Sequence, residues 1–105
     1  MKKRIESINL LGAAYSIEYL EQVIAEDGGW RYGRCFGRLR KILISLKDED
    51  GTPLPERVIQ NTICHEIIHA ILDEGAYWKL SDNEIFVEWI AKNLQHLIHN
   101  NVLDV

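Results

Sequence analysis

Apolar and polar positions alternate most regularly between Leu39 and Leu46. Ile42, Ile44 and Leu46 fall on one side of an extended chain, and Lys41, Leu43 and Ser45 on the other, the period of a strand. Ile8-Asn9-Leu10-Leu11 reads as an earlier strand that Gly12 ends or bulges. Tyr15, Ile17 and Tyr19 alternate with Ser16 and Glu18 and suit a second. From Ile17 onward the spacing of Leu20, Val23 and Ile24 also fits a helix, and the pattern leaves both readings open. Asp27-Gly28-Gly29 is a turn. The aromatic and basic segment 30–38 predicts a twisted hairpin whose rings cap a small sheet, in preference to a platform for stacking nucleic-acid bases.

The pattern then changes period. Ile59, Ile63, Ile67, Ala70 and Ile71 mark one broad apolar side, while Val58, Thr62, His65, His69 and Asp73 mark another, as on a helix. Pro55 suits its first turn, Glu56 complements its dipole and Gly75 stops it, which predicts a helix over about 55–74. Residues 76–80 read as a short connection. Ser81-Asp82-Asn83-Glu84 reads as a capping box, with Ser81 as the cap and Glu84 reaching back. A second helix should follow over about 82–100, with Ile90, Ala91, Leu94, Leu97 and Ile98 on its apolar face and Asn100-Asn101 at its end. The expected class is α+β: a small twisted sheet packed on the first helix, followed by the second.

A length of 105 residues fits one domain spanning 1–105. The composition, 47% hydrophobic and 27% charged, is that of an ordinary globular chain. A net charge of −4 argues against general affinity for nucleic acid. The charge is uneven, with +4 on residues 1–47 and −8 on 48–105, which fits either mutual attraction between two halves of one domain or a basic rim around an acidic site. Two distant cysteines imply no disulfide framework, and Cys64 reads as a small buried hydrophobe. Met1-Lys2-Lys3-Arg4 is followed by too weak an apolar run for secretion, and no run approaches membrane-spanning length. The expected setting is cytoplasmic, with no membrane partner.

The first helix carries the chemistry. His65-Glu66-Ile67-Ile68-His69 is H-E-x-x-H. Positions i and i+4 lie about 40° apart around a helix, so both imidazoles face one side and can share an ion. Glu66 stands beside that ion, able to take a proton from the attacking water. The competing reading, two satisfied core histidines and a surface glutamate, must place three polar side chains in an isoleucine-rich helix without partners. A catalytic zinc takes three protein ligands, and the second helix offers Glu84 and Glu88. Glu88 is preferred, because Glu84 has the capping role and Glu88 lies unpartnered between Val87 and Trp89. The expected site is one Zn2+ held by His65, His69 and Glu88, with Glu66 catalytic. Asp73 would orient an imidazole or simply be a solvated helix end, and Tyr77 or Tyr32 would steady an oxyanion. His96 and His99 read as surface residues, with a weak second metal site as the lesser alternative. Strand 39–46 would offer its edge to an extended peptide.

H-E-I-I-H-A-I-L-D, a short link, L-S-D-N-E and V-E-W-I-A-K-N-L resemble the small phage- and prophage-type metallopeptidases of the ImmA/IrrE-like group. These are gluzincins, with H-E-x-x-H and a glutamate on a following helix. The resemblance covers most of the chain and implies a zincin-like fold. It also implies a zinc-dependent peptidase acting on a specific protein, such as a repressor-type regulator, and it supports Glu88. Larger members carry a helix-turn-helix or another accessory domain, and segment 30–38 has no match in their pattern. A catalytically silent zinc-binding interaction module is the alternative.

Overall fold

A computed structural model describes residues 4–99. The first strand, β1 (Ser7–Leu10), turns through Leu11 and Gly12, both with positive φ, into β2 (Ala13–Leu20). Leu10 faces Ala13 in the antiparallel ladder, so Gly12 is half of a two-residue hairpin turn of the primed type. The helical reading beyond Ile17 fails. β2 stays extended to Leu20, and Val23–Ile24 is a short strand, β3. Its ladder partner is β4 (Trp30–Arg31), reached through the expected glycine turn.

Segment 30–38 is not one hairpin. After Trp30–Arg31 the chain crosses at Tyr32 into β5 (Gly33–Phe36), which pairs with a different sheet. The strand expected at 39–46 is β6 (Lys41–Ser45). It lies inside a four-stranded sheet ordered β1-β2-β6-β5, parallel to β2 and antiparallel to β5. Both of its edges are therefore paired, and it has none to offer a peptide. The outer strand on that side is β5. Ser45 ties the two sheets together. Its buried hydroxyl donates to the Arg31 carbonyl at 2.7 Å and accepts the Val23 amide at 2.8 Å.

Helix α1 (Glu56–Glu74) follows the expected span. It has two apolar sides rather than one. Ile59, Ile63 and Ala70 pack with Tyr15, Ile17, Ile42 and Ile44 of the sheet. Cys64 and Ile68 pack with Val87 and Ala91. Ile71 is exposed. Residues 78–81, expected as connection and cap, form a short helix, α2 (Trp78–Ser81). Helix α3 (Glu84–His99) then returns along α1. Its cap is Asn83, whose Oδ1 accepts the Phe86 amide at 3.0 Å. The expected stop at Asn100-Asn101 lies outside the described residues, as do the side chains of Ile98 and His99. The class is α+β, a small sheet and helices. No helix among the described residues is long and apolar enough to cross a membrane.

Candidate metal centre

Two elements supply the centre. α1 presents His65 and His69 one turn apart, with ring centroids separated by 4.9 Å. α3 begins at Glu84, opposite both rings. His65 Nε2 lies 2.9 Å from Glu84 Oε2, and His69 Nε2 lies 2.9 Å from Glu84 Oε1. The two imidazoles thus converge through equivalent nitrogens on one carboxylate. Donor atoms of His65, His69 and Glu84 all lie within 4.8 Å of one another, and this group can hold a metal ion.

Glu88, the expected third ligand, sits elsewhere. Its Oε1 is 3.0 Å from His65 Nδ1, the ring nitrogen that faces away from the cluster. It also receives Asn61 Nδ2 at 3.3 and 3.4 Å. The reason is the cap. With Asn83 capping α3, Glu84 is released from the capping box to reach the histidines. Ser81, expected as that cap, is buried and lies 3.0 Å from His69 Nδ1. Each imidazole is therefore held by Nδ1 and directs Nε2 inward, which fixes ring orientation and the nitrogen left for a metal. Asp73 lines the same cleft but holds neither ring, since Ser81 occupies that position.

Glu66 is buried at 6% exposure, one residue beyond His65. Burial pushes its carboxyl up to about 7, with the nearby Glu84 adding to the effect and His65 and Arg34 opposing it. Burial alone would lower His65. The Glu88 hydrogen bond and the charges of Glu66 and Glu84 outweigh it and raise the net value. For His69 burial prevails and the value falls. β5 crosses directly over this region. A Cβ on Gly33 would stand 2.8 Å from Thr62 Cγ2, 2.9 Å from the Leu43 carbonyl and 3.2 Å from Glu66 Cγ. Glycine is what lets the strand approach the helix here.

No protein-family model, curated protein or solved structure matches this chain. The centre is therefore read from its own geometry. It opens into a cleft of about 1130 Å³, walled by α1 and α3 on one side and by 31–35 on the other. Of the two tyrosines expected near it, Tyr32 lines the cleft and Tyr77 lies outside, 61% exposed. His96 lines it farther along and joins no metal-binding group among the described residues. Three contributors escaped the sequence reading: Ser81, Asn61 and Arg34. Asn61 had a signal, since it stands four residues before His65 on the same helical stripe. Arg34 had none, because its position depends on how β5 crosses α1.

Proposed function

We propose that this chain is a zinc-dependent peptidase of the zincin type, with His65, His69 and Glu84 holding the ion and Glu66 as general base. The observation that carries the reading is the convergence of both Nε2 atoms on Glu84 beside a buried Glu66, within an open cleft. Two nitrogens and one carboxylate are a usual donor set for a catalytic zinc that keeps one position open. The bound ion would supply Lewis acidity toward a carbonyl and a water.

The remaining work belongs to the chain. Glu66, poised near neutrality, takes the proton of the attacking water and returns it to the leaving amine. Glu88 and Ser81 hold the imidazoles in one orientation. β5 pairs with β6 on one side and forms the strand wall of the cleft, so an extended protein segment can align along its outer edge. This edge takes the part first given to strand 39–46.

The test is zinc content of the purified protein together with cleavage of a mixed peptide library. Glu66→Gln should retain zinc and lose at least a hundredfold in cleavage rate, about the usual worth of a general base. A wild-type protein that binds zinc and cleaves nothing would leave the silent interaction module as the better reading. A protein that takes up no metal would remove both.

A further inference from the structure

The polar stripe on α1 continues beyond the histidines. Arg57, Asn61 and His65 follow one another at four-residue intervals on one side of the helix. Glu84, Glu88 and Lys92 do the same on α3. The helices run antiparallel. Gln95 Nε2 donates to the Arg57 carbonyl at 3.0 Å, Asn61 meets Glu88, and His65 meets Glu84. All of these residues line the same cleft.

The charge along this seam changes sign. Around the histidines it is negative, from Glu66, Glu84 and Glu88. At the other end stand Arg57 and Lys92. Arg57 forms no ion pair among the described residues, and Lys92 reaches only Glu88, at 4.0 Å. Glu88 is already engaged by His65 and Asn61. Across the cleft, by contrast, Arg31 and Arg34 are answered by Asp27 and Glu26 at 3.0 and 2.9 Å. Among the described residues, two exposed cations thus stand without a carboxylate of their own at one end of a peptide-sized groove.

We propose that Arg57 and Lys92 form an anion subsite that takes a carboxylate of the bound peptide. Arg57 lies eight residues from His65, about 12 Å along the helix. An extended chain covers that distance in about three to four residues. The substrate class is therefore a peptide with an acidic side chain, or its terminal carboxylate, at that separation from the bond attacked. The inference rests on the reading of the cleft as a peptide site.

Binding to zinc-loaded Glu66→Gln protein tests it without turnover. The probes are capped alanine–leucine octapeptides with one glutamate, the same peptides with glutamine or lysine, and a glutamine peptide with a free C-terminus. Calorimetry reads affinity, and amide shifts read location. The glutamate peptide should bind at least tenfold tighter than its glutamine twin and shift Arg57, Asn61 and Lys92. The preference should vanish in Arg57→Ala/Lys92→Ala, persist in Arg57→Lys/Lys92→Arg, and turn toward a lysine peptide in Arg57→Glu/Lys92→Glu. A gain from the free terminus alone would assign the subsite to a terminal carboxylate rather than a side chain. Equal affinities throughout, a preference that survives the alanine pair, or no binding of any peptide would overturn the proposal. Hydrolysis of the same peptides by wild-type protein is scored separately. Hydrolysis without acidic preference defeats the subsite alone, and acidic preference without hydrolysis defeats the peptidase alone.

Discussion

Two carboxylates one helical turn apart on α3 meet opposite nitrogens of one imidazole. Glu84 reaches Nε2 of both histidines, while Glu88 supports His65 through Nδ1. Glu84→Gln should therefore cost more zinc affinity than Glu88→Gln, with the latter losing about ten- to a hundredfold; competition with a chromogenic chelator ranks the two. The sequence alone put His65 and His69 on one side of α1, because positions i and i+4 of a helix lie one above the other, with Glu66 as the next residue. The sequence reading ranked Glu88 above Glu84 because it took Ser81 as the cap of α3, whereas the cap is Asn83. Glu66 supports a second expectation at this scale. Its carboxyl rises from an ordinary 4.5 to about 7 through burial. A raised folded-state value contributes stability below pH 4.5 and loses it as pH climbs through 7. In the presence of chelator, Glu66→Gln should gain on wild type over that window by up to about 3 kcal/mol, read from chemical unfolding at several pH values.

Among the elements, α1 ends differently from the way its glycine suggests. Gly75 has φ −84°, and Ala76 takes the left-handed position at φ 62°. Ala76 N–H donates to the Asp73 carbonyl at 3.1 Å and Tyr77 N–H to the Leu72 carbonyl at 2.8 Å, the paired bonds of a Schellman ending. Ala76→Gly should raise stability by about 0.5–1 kcal/mol, since glycine holds that conformation without a Cβ penalty. A thermal melt would show it as a higher midpoint. Gly33→Ala should do the reverse, because the added Cβ would stand 2.9 Å from the backbone carbonyl of Leu43, on a strand paired along both edges. The variant should lose stability and shift the amide signals of Thr62 and Glu66. β6 was legible because it keeps a strong alternation, and α1 because Pro55, Glu56 and Gly75 bracket a long apolar run. Residues 20–36 were not, because their strands are two to four residues long and are fixed by Ser45, an anchor with no local signature.

At the scale of the molecule, α1 is shared. One side completes the core with the sheet and the other completes a smaller core with α3. The sequence showed that α1 is apolar, but not that its apolar surface is divided between two partners. The candidate ligands span only the α1–α3 contact. Zinc should therefore add to stability chiefly there. On chelation, hydrogen exchange should accelerate in α3 and α2 while β2 and β6 remain protected; uniform acceleration would contradict this division.

The strand wall of the cleft supplies none of the three residues that can grip an ion. Exchanging residues 31 and 32 would redraw what the groove admits and leave the candidate metal ligands in place. Groove wall and candidate ligands are carried by separate parts of the chain, so either can be rewritten while the other is kept.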